Sequence, residues 1–180
     1  PYVDYMIADA TVIPSKYRTW YTENILYMPH CYFVNSHWHI KANQIHEQSI
    51  RDRAYYGLPP SPAFVFCCHS RPDKIDPSTF VTWIKAVQRT RAEGRATTNA
   101  AMANSVLWLL RSKGAPQMEG NLLEVAKTIL GNEIHEAIIF CDQAPRDEHL
   151  ERLALADLYL DTPAYNAHTV GCDCLSAGVP

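Results

Sequence analysis

Glycine is scarce in this chain, with seven among 180 residues. Neither G-x-G-x-x-G nor G-x-x-x-x-G-K-[ST] occurs, which argues against a dinucleotide fingerprint and against a P-loop. No D-x-D pair of aspartates appears either, so any diphosphate is expected to be met by protein groups instead of a divalent ion. An excess of one charge is also lacking. Sixteen Lys and Arg against 19 Asp and Glu leave a net charge of −3, which points to neither nucleic acid nor a membrane surface as partner. No apolar run approaches the roughly 20 residues that a membrane helix requires. His37, Trp38 and His39, with His30 and His46 nearby, match no zinc spacing, and no cysteine pair accompanies them. No metal is expected. Both ends, Pro1 and Pro180, read as cut, so the chain is expected to be a piece of a longer protein.

What the chain does have is material for a core: 47% of its residues are hydrophobic and 11% aromatic, too much for disorder. Its six cysteines, Cys31, Cys67, Cys68, Cys141, Cys172 and Cys174, sit mostly in or beside apolar runs, where free cysteine packs as a small hydrophobe. A chain this rich in core needs no staples, so the thiols are read as reduced and the protein as intracellular.

The N-terminal "YVDYMIAD" is strand-like, and Pro14-Ser15 predicts a short helix over 15–23. From Trp38 to Arg53 no period is visible, and the stretch reads as a loop or linker. A rhythm then begins. "AFVFCC" (63–68) has strand length. Asp76 as N-cap and Pro77 at the first helical position open a helix whose Phe80, Trp83, Ile84 and Val87 fall on one face. "SVLWLL" (105–110) is a second strand, and a helix follows, capped by Asn121 and ended by Gly131. "AIIFC" (137–141), a helix from Pro145, "LYLD" (158–161) and a helix in "TVGCDCLSAG" complete the series. The segment "RAEGRATTNAAMAN" (91–104) reads as a surface insertion. Wholly apolar strands alternating with helices predict an α/β fold with a Rossmann-like parallel sheet covered on both faces.

Ligands of such sheets bind outside the carboxyl ends of the strands, so the residues that follow each strand are the candidate site. These are His69, Ser70, Arg71, Asp73 and Lys74; then Asp142, Gln143, Ala144, Arg146 and His149; then Tyr165, Asn166, His168, Thr169 and Gly171, with Asp173 one turn on. Each has an ordinary reading by itself: Lys74 as a solvated charge, His149 as packing on a first turn, His168 as a helix-start residue. Together they describe a cationic pocket at a helix N-terminus, suited to a phosphate-bearing ligand. Asp173 fits ribose hydroxyls better than phosphate, which makes a nucleotide the expected ligand.

Six stretches carry a resemblance: "YMPH" (27–30), "YGLP" (56–59), "KIDPSTF" (74–80), "NSVLWLLR" (104–111), "AP-R-x-E-H" (144–149) and "LYLDTPAYNAHTVGCDCLSAGVP" (158–180). They run in order across the chain and closely resemble the catalytic region of the nucleocytoplasmic protein O-GlcNAc transferases, shared by the SPINDLY-type O-fucosyltransferases of plants. The resemblance implies a GT-B arrangement behind tetratricopeptide repeats. Residues 1–9 would be the last strand of the first half, 10–61 an intervening linker, and 62–180 an incomplete second, nucleotide-sugar-binding half. It implies inverting, metal-independent transfer of N-acetylglucosamine from UDP-GlcNAc to Ser or Thr hydroxyls of proteins, in the cytoplasm or nucleus. GDP-fucose transfer and a catalytically incomplete nucleotide-binding module stay open as alternatives.

By resemblance, Lys74 would contact the diphosphate and stabilise the leaving group. His168, Thr169 and the Val170 backbone would hold the β-phosphate, and Asp173 the ribose. Ala144 would meet uracil through its backbone, Arg146 would reach the ribose, His149 would stack on the base, and Arg152 would flank it. Asp4 matches a position considered for proton relay, while the family's main base histidine would lie upstream of Pro1. Arg71 and Asp73 stand where the family has glutamine and tyrosine, and Val170 stands where the animal enzymes carry threonine. These departures bear on the sugar more than on the diphosphate.

Overall fold

The computed structural model describes residues 2–37 and 52–180. The linker reading of 38–53 and the histidines at 39 and 46 therefore fall almost wholly outside the described residues. The chain divides into two compact units, Pro1–Trp38 and His39–Pro180.

In the first unit, strand β1 (Tyr5–Ala8) pairs in parallel with β2 (Asn24–Tyr27), Ala8 opposite Tyr27. The run "NILY" carried no strand assignment from sequence. Its partner lies 19 residues back, a relation that no local pattern carries. The helix expected over 15–23 is instead a 3-10 turn, Ser15–Trp20. Tyr21 is already extended and leads the chain toward β2. Asp9, buried at the end of β1, takes the N–H groups of Thr11, Val12 and Tyr32, each at 2.9 Å. Those donors hold its carboxyl below the usual carboxylate range, the Tyr32 amide most of all.

The second unit is built on a four-stranded parallel sheet of β3 (Val65–Cys68), β4 (Val106–Leu110), β5 (Ile138–Cys141) and β6 (Leu158–Tyr159), in the order β5-β4-β3-β6. Alternation along β4 explains why both faces are covered. Leu107 and Leu109 enter one cluster with Phe80, Trp83, Ile84 and Val87, while Val106, Trp108 and Leu110 enter the other with Leu153 and Cys174. Helix α1 (Pro77–Ala96) therefore lies on the first face, joined there by Ala126 and Leu130 of α3 (Gln117–Leu130). Helices α5 (Arg146–Leu153) and α6 (Thr169–Ser176) cover the second. The chain steps from β3 to β4 to β5 in one direction and then returns past them to β6. That reversal puts a topological switch point between the carboxyl ends of β3 and β6, where open α/β sheets hold their ligands.

Two further readings are corrected. Asn121 does not cap α3, which starts four residues earlier at Gln117 behind Pro116. Pro116, at φ −61°, is preset for helix, and Gly120 is simply carried inside it. Residues 91–104, expected as a surface insertion, are largely exposed but are built into helices. Helix α1 runs on to Ala96, and α2 (Ala100–Ala103) folds back against it. A Cβ at Gly94 would lie 2.2 Å from the Ala103 amide nitrogen, so only glycine permits this contact. Arg91, also in the segment, is buried and bonds the Ser105 carbonyl at 2.9 Å and Glu133 at 2.9 Å. The short helix α4 (Ile134–Ala137) then leads into β5.

Candidate functional site

Two loops flank the switch point. After β3 the chain makes a single 3-10 turn, Pro72–Lys74, before Asp76 caps α1 through the amides of Ser78 and Thr79. After β6 it runs from Leu160 to His168 and enters α6. This second loop is held from within by one aspartate. Asp161 takes the amides of Thr162 at 2.8 Å and Ala167 at 2.7 Å, and the side-chain amide of Asn166 at 2.7 Å. The buried Thr162 adds a bond to the Tyr165 carbonyl at 2.8 Å. The bases of the two loops are joined by a 2.7 Å hydrogen bond between Ser70 and Tyr159, whose phenol burial pushes upward.

The internal bonds of the β6 loop turn the Asn166 carbonyl toward β3. Lys74 Nζ donates to it at 3.2 Å, and so does His168 Nδ1 at 3.2 Å. A carbonyl only accepts, so the His168 proton is on Nδ1. Two of the residues expected at the diphosphate thus meet on one oxygen although they stand far apart in the chain. His168 precedes α6, and the first intrahelical bond is Cys172 N–H to His168 O at 3.1 Å. The amides of Thr169, Val170 and Gly171 come before it and have no partner within the helix, the arrangement that draws anions to a helix start. The side chain of Val170 packs against the second core cluster and Thr169 is exposed.

A second group forms where α5 meets α6. Asp173 is almost wholly buried, with Arg146 Nη2 at 3.7 Å from one oxygen and His149 Nε2 at 3.6 Å from the other. Burial, and then the neighbouring Arg152, hold the His149 imidazole below its ordinary value; Asp173 opposes them. Beneath it lies His69, fully buried, its ring centroid 5.9 Å from that of His149 and 4.4 Å from that of Trp108. His69 is held well below its ordinary value by the same causes, burial first and Arg152 next. Arg152 is itself buried and donates to the Asp142 carbonyl at 2.7 Å, so it braces the β5–α5 loop from below. Ala144 stands half-buried in that loop.

Two further expected residues have partners of their own. Arg71 is exposed and turned onto Asp73 in a two-point pair at 3.0 and 2.8 Å. Asp4 belongs to the first unit, where its carbonyl accepts the Asn24 amide at 2.8 Å. Arg111 follows directly on β4 (Val106–Leu110), a position that the strand-end rule also marks. It bonds Glu119 at 2.8 Å and stands 3.6 Å from Asp142. Beside it opens a cavity of about 260 Å³ lined by Ser112, Met118, Glu119, Phe140 and Asp142. No disulfide joins the six cysteines, and burial pushes Cys68 and Cys141 up to about 11. That suits packing, not nucleophilic chemistry.

Comparison with known proteins gives these positions a context. A probable UDP-N-acetylglucosamine–peptide N-acetylglucosaminyltransferase SEC of Arabidopsis thaliana is 37% identical over 179 residues, 99% of this chain and 17% of that protein. The UDP-N-acetylglucosamine–peptide N-acetylglucosaminyltransferase of Caenorhabditis elegans is 35% identical over 133 residues, 73% of this chain and 10% of its own length. The chain thus spans under a fifth of either relative. Among solved structures, a mutant O-GlcNAc transferase of Thermobaculum terrenum superposes with a TM-score of 0.67 over 98% of this chain and 29% of its own, at 21% identity, a likeness of fold. The family model described as glycosyl transferase family 41 matches residues 41–180, and the chain belongs to that family.

Proposed function

We propose that this chain supplies the donor-nucleotide side of an enzyme that transfers N-acetylglucosamine from UDP-GlcNAc to Ser or Thr hydroxyls of proteins. The observation that carries the reading is the meeting of Lys74 and His168 on the Asn166 carbonyl, beside the amides that open α6. In the reaction, an acceptor hydroxyl oxygen attacks the anomeric carbon from the face opposite the diphosphate. The bond from that carbon to the β-phosphate oxygen breaks, UDP leaves with the electron pair, and the configuration inverts. Charge grows on the leaving oxygen as the bond lengthens. Lys74 and the helix start meet that charge, so their interaction strengthens in the transition state and lowers the barrier.

In this reading the diphosphate is neutralised by protein groups and no metal is required. Thr169 and the Val170 amide bind the β-phosphate, with His168 beside them. Ala144 lends backbone groups to uracil, His149 stacks on the base with Arg152 behind it, and Arg146 and Asp173 meet the ribose. Asp4 relays the acceptor proton. The two named relatives are peptide N-acetylglucosaminyltransferases, which favours UDP-GlcNAc over GDP-fucose as donor. Six cysteines with no disulfide among them suit the cytoplasm or nucleus.

The test is turnover of both donors on a peptide acceptor by the full-length protein, with and without a chelator. UDP-GlcNAc should be used in preference, at a rate EDTA leaves unchanged. Use of GDP-fucose alone overturns the donor, and a loss restored only by a divalent ion overturns the metal-free chemistry.

A further inference from the structure

Tyr165 sits in the β6–α6 loop and has no part in the mechanism above. It is 61% exposed, yet it is not loosely placed, because Asp161 and Thr162 fix the loop on both sides of it. Its ring lies under Lys74, with Nζ 4.0 Å from the centroid, well inside the roughly 6 Å reach of a cation–π contact. The same ring meets His168 edge to face at 6.0 Å.

Lysine is a point charge on a flexible four-carbon stem, so a single hydrogen bond to the Asn166 carbonyl fixes its direction poorly. The ring face adds a second constraint. A carboxylate would hold the ammonium more tightly, but it would cancel the charge that a diphosphate needs. Such a carboxylate is present one residue away. Asp73 is kept occupied by the two-point pair with Arg71. An aromatic face attracts a cation without pairing off its charge, so the ring leaves the ammonium available to the ligand.

We propose that Tyr165 is a positioning residue for Lys74, its ring face holding the ammonium beside the start of α6 where the leaving diphosphate is met. The proposal rests on the reading of Lys74 as the diphosphate group. It also gives Arg71 a role: by engaging Asp73, it protects Lys74 from a competing acid.

The experiment uses the full-length protein and four variants: Lys74→Ala, Tyr165→Phe, Tyr165→Leu and the double variant Lys74→Ala/Tyr165→Leu. Tyr165→Leu should lower kcat about fivefold with little change in donor KM or melting temperature, and Tyr165→Phe should restore the rate, because phenylalanine keeps the face. In the Lys74→Ala background Tyr165→Leu should have no further effect. A Tyr165→Leu enzyme as fast as the parent overturns the proposal. An equal loss with and without Lys74 also overturns it, because Tyr165 then acts on the donor directly. A phenylalanine variant as slow as the leucine one does so too, since the hydroxyl is then what matters. The ε-methylene proton resonance of Lys74 provides a readout that needs no turnover. Ring current should shift it upfield in the parent and in Tyr165→Phe, and the shift should vanish in Tyr165→Leu. An unshifted resonance in the parent overturns the positioning role. A shifted resonance together with an active Lys74→Ala enzyme refutes the reading of Lys74 instead.

Discussion

Burial makes His69 a one-way choice: its imidazole folds neutral, since charging it at the end of β3 would put a cation next to Arg152 with no solvent to screen it. His149, above it, is pressed the same way by burial and Arg152, with Asp173 opposing. Both side chains have lower values folded than unfolded. Below the ordinary histidine value of 6.5, the unfolded chain therefore binds more protons than the folded one. The stability these two neutral rings contribute is fully present above that pH and is lost as pH falls through the window beneath it. Melting temperature should hold steady from pH 8 to 7 and decline below about 6.5. His69→Phe should make the acid limb shallower by about one proton, leaving His149 to titrate. Identical acid limbs in parent and variant would show that His69 already takes up its proton in the folded state.

At the scale of elements, two glycines of the same family of helices should respond oppositely to alanine. Gly94 lies where α1 and α2 touch, and a methyl group there would meet the Ala103 amide nitrogen and the Met102 backbone, neither of which can step aside. Gly94→Ala should cost about 1–3 kcal/mol, the usual range for overpacking. Gly120 sits inside α3 with nothing within 4 Å of the added carbon. Gly120→Ala should stabilise by roughly 0.5–1 kcal/mol, because alanine loses less backbone freedom in a helix. Chemical denaturation of both variants checks the pair. A neutral Gly94→Ala would mean that α2 does not close onto α1 as described.

Across the whole molecule, what was legible in the sequence follows the range of each signal. Strands β3, β4 and β5 were readable because both faces are buried, which leaves continuous apolar runs. Helix α1 was readable because Asp76-Pro77 announces its start and Phe80, Trp83, Ile84 and Val87 repeat on one face. The start of α3 was not, since Gly120-Asn121 imitates a boundary while Pro116 supplies the real one. Strand β2 is four residues long and is defined by its partner alone. That the loops after β3 and β6 would lie at neighbouring strand ends was legible from the rule about parallel sheets. How they join was not: Lys74 reaches Asn166 across 92 positions, and Arg71 turns onto Asp73 instead of outward. Such pairings come from tertiary packing, which no short-range pattern records.

The central claim is that Lys74 and the His168 end of α6 act on one diphosphate. A double-mutant cycle on UDP affinity tests it most directly, with calorimetry on the full-length parent, Lys74→Ala, His168→Ala and the double variant. Each single change should weaken UDP about tenfold or more, as expected for a lost charge-assisted contact. The double change should cost clearly less than the sum, because groups on a shared ligand and a shared carbonyl couple. Strictly additive losses, or single variants that bind UDP as tightly as the parent, would contradict the account.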